Sequence, residues 1–295
     1  MKRKKMKQSL NDKMFSIIVY LVVGILTVLC IAPFLHLLAV SLSGTDAVLR
    51  GEVFLVPKKF SLEVYYTIVE NGTLVKAMFR SIMLTIVYVL VAMTVTIMCA
   101  YPLSEPGLKG KKFLVPFIMF TMYFSGGLIP SYLLVNGLGL VDSYWSLILP
   151  CAISTYNMIV LRSFFSNVPV ALREAAFMDG AGDFTILMKV ILPLSKPALA
   201  TITLFYAVSR WNAMQDALMY ISNPSKAVLQ VRLKQMIQNS SAINELLEGA
   251  AASVATPVQT ARAGAMMFSL IPIIIIYPFL QKYFVKGTMI GSVKG

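Results

Sequence analysis

Six apolar stretches, each about 20 residues long, constrain this chain more than any other feature. They cover residues 14–40, 78–100, 113–135, 144–165, 197–215 and 264–283. An α-helix needs about 20 residues to cross a hydrocarbon core of about 30 Å. The composition agrees: 58% of residues are hydrophobic and 13% charged, against about 45–50% and about 25% in soluble domains. A soluble fold of this length buries only about 75% of its surface, so the apolar surplus must face lipid. The same numbers exclude a disordered chain. Outer-membrane barrel strands alternate apolar and polar residues over about 10 positions, a pattern these runs lack. The expected fold is an all-α polytopic membrane protein with six transmembrane helices.

The net charge of +13 would suit nucleic acid if it formed one basic patch, but its placement follows a membrane instead. With both termini on one face, that face carries 16 of the 26 Lys and Arg and 5 of the 13 acids. The short 136–143 loop on the other face has no cation. Cytoplasmic loops are enriched in Lys and Arg, so both termini are expected in the cytoplasm, with no role for nucleic acid. The chain then reads as a basic tail at 1–13, a transmembrane domain at 14–283 and a second tail at 284–295. A cytoplasmic loop covers 166–196, and a long extracytoplasmic loop covers 217–262, with helix expected near 235–248. The basic start followed by about 25 apolar residues is too long for a cleaved signal's apolar core and reads as a retained anchor.

Several chemistries have no residues to support them. There is no Gly-x-x-x-x-Gly-Lys-Ser/Thr phosphate loop; Gly107-Leu108-Lys109-Gly110-Lys111-Lys112 has the wrong spacing and no hydroxyl. Gly180-Ala181-Gly182-Asp183 is half a dinucleotide fingerprint without a strand before it. His36 is the sole histidine, so no metal site is expected, and His36 is read as packing or making a local hydrogen bond. Cys30, Cys99 and Cys151 lie in apolar segments and are expected to be buried by packing. No acid sits in the middle of a span, where ion-coupled carriers usually keep one.

The segment between the fourth and fifth spans is the most specific. Pro169 suits the start of a helix of about ten residues, and Gly180 suits its C-terminal cap. Leu172, Ala175, Ala176 and Asp179 then share one face at helical spacing. Two adjacent alanines keep that surface low, and Glu174 stands beside them as a carboxylate able to meet a partner's cation. A helix merely lying on headgroups would favour Lys and Arg on its polar face; this one carries Arg173, Glu174 and Asp179.

Glu174-Ala175-Ala176, then Gly180, then Val190-Ile191-Leu192-Pro193 resembles the EAA loop of ATP-binding-cassette importer permeases, with Val190 where Ile is usual. Phe54-Leu55-Val56-Pro57, Phe60-Ser61-Leu62 with Tyr65, Trp211-Asn212 and the 279–287 segment are similar to the carbohydrate branch of that family, the maltose-permease-like branch for complex oligosaccharides. The resemblance implies a type I importer permease fold in a bacterial cytoplasmic membrane, with a second homologous permease subunit, a heterodimer being usual. It also implies two cytoplasmic ATPase subunits, which would hold ATP and Mg, and an extracytoplasmic solute-binding protein. The chain itself would bind no cofactor and catalyse no reaction. Glu174, Ala175, Ala176, Asp179, Gly180, Leu192 and Pro193 would form the ATPase-coupling loop, and the 217–262 loop would meet the binding protein.

Oligosaccharides are held by aromatic faces and hydrogen-bonding side chains, which makes Tyr123, Tyr156, Asn157, Tyr206, Trp211 and Asn212 candidates for the translocation path. The same residue types also anchor helices at interfaces and join them to one another. An importer of a non-sugar solute, or a stand-alone secondary carrier, stays open at this point.

Overall fold

The computed structural model describes residues 10–238 and 258–292. Its regular elements are α1 (Leu10–Ser41), α2 (Thr45–Leu49), α3 (Glu63–Asn71), α4 (Thr73–Ser104), α5 (Lys111–Phe120) and α6 (Leu128–Gly137). Then come α7 (Trp145–Ile148), α8 (Thr155–Ser166), α9 (Val170–Met178), α10 (Asp183–Ile186), α11 (Leu192–Leu194), α12 (Lys196–Asn212), α13 (Gln215–Tyr220), α14 (Leu229–Gln238) and α15 (Val258–Ser292). No strand ladder occurs among the described residues, only an isolated antiparallel bridge between Ser43 and Phe60. Among the described residues, α1 is already helical at Leu10 and α15 is still helical at Ser292, so helix crosses both expected tail boundaries. Of the expected 235–248 helix, only the start is described: α14 reaches Gln238, and the rest lies outside the described residues.

Three helices are long and apolar enough to span a bilayer without a break: Lys13–Ser41, Thr73–Ser104 and Val258–Tyr277. The fourth expected span is two pieces, Trp145–Cys151 and Thr155–Ser166, meeting at 52°. The fifth, which begins where expected, follows Asp183–Leu194 at a bend of 84°. The third, expected as one helix over 113–135, is instead split into α5 and α6 by residues 121–127. Gly127 has φ +88 and ψ 178, a conformation essentially reserved for glycine, and helical hydrogen bonding does not survive it. Hydropathy reports a side chain's solvent and not its backbone angle, so the break was invisible in the apolar count.

The chain divides into two units. In the first, residues 1–72 with 236–270, a small core of Ala39, Val40, Ala47, Val48, Val53 and Ala263 joins the end of α1 to α2 and the start of α15. His36 Nδ1 lies 2.6 Å from the Phe54 carbonyl, the local hydrogen bond expected of it. In the second, residues 73–235 with 271–295, α4 packs against both α8 and α12. Polar side chains in this core meet the backbone groups freed by the bend in the fourth span. Tyr88 Oη donates to the Cys151 carbonyl at 3.0 Å, Arg210 Nη1 donates to the Leu147 carbonyl at 2.8 Å, and the Ser154 amide donates to Tyr206 Oη at 2.9 Å. In hydrocarbon no water replaces such partners, so a broken span persists only where protein supplies them.

Cys99 is half-buried against this core, whereas Cys30 and Cys151 are exposed in the single chain, contrary to the expected burial. A thiol is close to apolar in character, so an apolar segment can present it to lipid at little cost.

Candidate functional site

The 166–196 loop owes its shape to short-range chemistry. Pro169, at φ −53 and ψ 128, forms the N-cap of α9. The helix ends with Gly180 at φ +81, the left-handed residue that closes a helix C-terminus. Its amide donates to the Phe177 carbonyl at 2.9 Å, and the Ala181 amide donates to the Ala176 carbonyl at 3.0 Å. Further on, Pro193 has no amide to give the carbonyl of Lys189, and the helix widens to a π-turn over Leu187–Ile191, a common way to absorb such a mismatch. Leu192 packs partly against the core and Pro193 is exposed.

The side chains sort into two faces. Leu172, Glu174, Ala175 and Asp179 are exposed, while Ala176 is half-buried. Phe177 and Met178 are 69% and 83% exposed; these two were not singled out in the sequence, although bulky apolar residues beside a small pair on a non-membrane helix are the available signal. Glu174, Phe177 and Met178 share one groove with Tyr101, Glu105 and Val170.

Arg173 is the residue whose role changes most. Read as a surface charge, it is instead only 7% exposed. Its guanidinium pairs with Glu105 Oε1, donates to the Phe165 carbonyl at 2.6 Å and reaches Ser104 Oγ at 3.3 Å. Nothing at positions 104, 105 or 165 announces this in the sequence: Glu105 and Ser104 lie 68 and 69 residues away, and the nearer partner, Phe165, contributes only a backbone carbonyl.

The translocation-path candidates do not gather at one place. Tyr206 is 1% exposed, and its hydroxyl is held by Thr96 Oγ1 at 2.7 Å as well as by Ser154. Asn157 is buried near the start of α8. Tyr123 and Tyr156 are exposed; the Thr121 and Thr155 hydroxyls, 3.4 Å apart, bring the break after α5 beside the start of α8. Trp211 and Asn212 line a separate groove with Thr85, Val208, Ile273 and Tyr277. The indole nitrogen of Trp211 is buried without a partner, and Asn212 Nδ2 donates to the Val208 carbonyl at 3.0 Å.

At the other expected face, the start of the 217–262 loop is well tethered. Asp142, at φ +59, accepts from the Ser222 and Asn223 amides at 2.7 and 2.9 Å through Oδ1. Lys226 Nζ donates to its carbonyl, Arg80 Nη1 donates to the Ala227 carbonyl at 3.3 Å, and the Leu229 amide donates to Ser81 Oγ at 2.8 Å. The Asn223 and then the Ser222 amide hold the Asp142 carboxyl below the usual carboxylate range. A depressed folded-state pKa stabilises the clamp above the unfolded value, near pH 4, and that stabilisation is lost as pH falls through the folded value. Hydrogen exchange at Ser222 and Asn223, corrected for intrinsic rates, is expected to show protection above pH 5 that disappears on acidification. In Asp142→Ala the protection is expected to be weak at every pH.

Residues 79–290 match the family described as binding-protein-dependent transport system inner membrane component. The chain is 38% identical over 286 residues to the polygalacturonan/rhamnogalacturonan transport system permease protein YtcP of Bacillus subtilis (strain 168), covering 97% of this chain and 100% of that protein. It is 26% identical over 275 residues to the arabinooligosaccharides transport system permease protein AraQ of the same organism, covering 92% of each. A crystal structure of a bacterial ABC transporter involved in the import of the acidic polysaccharide alginate contains a chain that superposes with a TM-score of 0.88 at 33% identity, covering 95% of this chain and 100% of that one.

Proposed function

Because the chain belongs to the binding-protein-dependent transport system inner membrane component family, we propose that it is the membrane-spanning permease subunit of an ATP-driven importer of oligosaccharides. The observation that carries this reading is α9: a nine-residue helix with exposed Glu174 and Ala175, closed by a left-handed glycine. Glu174 meets a cationic or polar group of a cytoplasmic ATPase subunit, Ala175 and Ala176 allow close approach, and Asp179 and Gly180 shape the exit. Leu192 and Pro193, after the π-turn, set the angle at which the loop re-enters the membrane. ATP and Mg belong to two copies of that ATPase, whose closure moves α9 and switches the path between outward and inward access. The termini and the 166–196 loop face the cytoplasm, and the 217–262 loop meets the solute-binding protein. A second, different permease subunit completes the path.

For the solute we propose oligosaccharides of acidic sugars. The support is the relatives' own names: the 38% identical protein is a polygalacturonan/rhamnogalacturonan permease and the 33% identical chain belongs to a transporter involved in alginate import, ahead of the arabinooligosaccharide permease at 26%. Of the six candidates, Trp211 and Asn212 are the pair best placed to meet a sugar, since they line one groove. Tyr123, Tyr156 and Asn157 follow, and Tyr206 acts mainly through Thr96 and Ser154.

The test is a gentle-detergent pulldown from native membranes. Recovery of a second permease, an ATPase and a binding protein is expected, and calorimetry of that binding protein is expected to give heat with galacturonate oligomers and none with neutral arabinose oligomers. The chain recovered alone, with uptake surviving ATP depletion, would overturn the importer reading. Binding of neutral oligomers only would overturn the solute class.

A further inference from the structure

The cytoplasmic end of α4 gathers more polar partners than a helix end needs. Residues Leu103, Ser104 and Glu105 offer carbonyls that a helix terminus leaves open. Arg162 Nε donates to the Leu103 carbonyl at 2.8 Å. Lys111 Nζ donates to the Ser104 and Glu105 carbonyls at 3.2 and 2.9 Å. Tyr101 Oη, one turn earlier, donates to the Asp183 carbonyl at 3.2 Å. Into this cluster α9 inserts Arg173, whose fork spans the Glu105 carboxylate, Ser104 Oγ and the Phe165 carbonyl. Its Nε is buried without a partner, so the residue sits there despite leaving one donor unmet. A buried guanidinium is retained at a cost in desolvation, and an apolar side chain at position 173 would anchor α9 more simply.

We propose that Arg173 is a positioning residue that locks the coupling helix α9 to the ends of α4 and α8, so that displacement of α9 by the ATPase moves all three together. The inference rests on the reading of α9 as the ATPase-docking helix. Position 174 faces out and position 173 faces in, so adjacent residues receive the push and pass it on. The planar fork matters here: it engages two helices besides its own, which a lysine's single ammonium would not do with the same geometry. The opposite end of α4 bears Arg80 and Ser81, which hold the Ala227 carbonyl and the Leu229 amide. A moving α4 therefore carries the start of the outer loop with it.

The experiment uses the complete transporter in proteoliposomes, with Arg173→Met, Arg173→Lys and Glu105→Gln in this chain. The expected result is that all three retain the ATPase subunit. Solute imported per ATP hydrolysed falls about tenfold in Arg173→Met, within the range of typical coupling factors. Arg173→Lys recovers part of the loss and Glu105→Gln loses less. Spin labels at Met178 and Leu108 add a readout that stability alone would not move. Their separation is expected to be the same in nucleotide-free and ATP-trapped wild type, and to differ between those states in Arg173→Met. If Arg173→Met does not reach the membrane, the same comparison in Glu105→Gln decides. An unchanged stoichiometry in the variants, or a label separation that already changes in wild type, would overturn the lock. Loss of the ATPase from Arg173→Met would instead make Arg173 part of the docking surface and overturn its positioning role. Failure of the docking reading is distinguished by Glu174→Lys: normal ATPase retention there removes the premise, whatever Arg173 does.

Discussion

Glu174→Lys combined with Gly180→Pro is expected to leave a chain that inserts in the membrane but no longer holds its ATPase. Glu174 is exposed, and surface side-chain changes away from packed contacts alter stability little. Gly180 is exposed too, with nothing within 4 Å of a Cβ there, so its replacement disturbs the end of α9 and not the membrane core. What they alter is the surface presented to the partner. Reversing the charge of Glu174 removes the acceptor and sets a cation against the group that carboxylate would meet. Gly180 adopts φ +81, whereas a proline ring holds φ near −65°. The proline also removes the amide that donates to the Phe177 carbonyl, so α9 loses the cap that ends it at Met178. Loss of one interface hot spot costs about 2 kcal/mol or more, which is about thirtyfold in affinity. The reshaped cap adds to that. Co-purification of the ATPase and binding-protein-stimulated ATP hydrolysis are the measurements, and the membrane level of the chain is the control. Normal transport by the double variant would remove α9 as the docking element.

The second large effect concerns the buried pair at the end of α12. Arg210 is 5% exposed and donates to both oxygens of Asp216 at 2.5 and 3.0 Å. It also donates to the Leu147 carbonyl, and its guanidinium lies 5.8 Å from the centre of the Tyr88 ring. Asp216 in turn accepts from the Ala217 amide at 2.8 Å. Replacing Asp216 by Ala strands a cation in a low-dielectric core, a change that costs about 3–5 kcal/mol. Asp216→Ala is therefore expected to melt several degrees lower in detergent and to accumulate poorly in the membrane. Arg210→Met with Asp216→Ala is expected to recover part of that loss, because no unpaired charge remains, although the Leu147 carbonyl loses its donor. Thermal unfolding followed by gel filtration reads both; a single variant that melts with wild type would show that the pair bears no load.

Much of this is legible in the sequence. Long apolar runs report directly on the solvent each segment meets, and that solvent is imposed by the bilayer. The shape of the 166–196 loop was legible for a different reason. Pro169 and Gly180 act on their own backbone angles, and Ala175 and Ala176 act by being small, so a short window contains the whole cause. The exposed Glu174 needed no partner within the chain to be recognised.

The rest depended on partners far apart in sequence. Arg173 looks like any helix-surface cation until Glu105, 68 residues earlier, is brought beside it. Tyr206 looks like a sugar contact until Thr96, 110 residues away, takes its hydroxyl. The split of the third span turns on one glycine angle inside an apolar run. Short-range chemistry thus determined which segments are long and apolar and where the helix Val170–Met178 ends. Only the tertiary structure decided which polar groups point inward, because a buried donor or acceptor must find a partner and the fold alone determines which distant residue stands within reach.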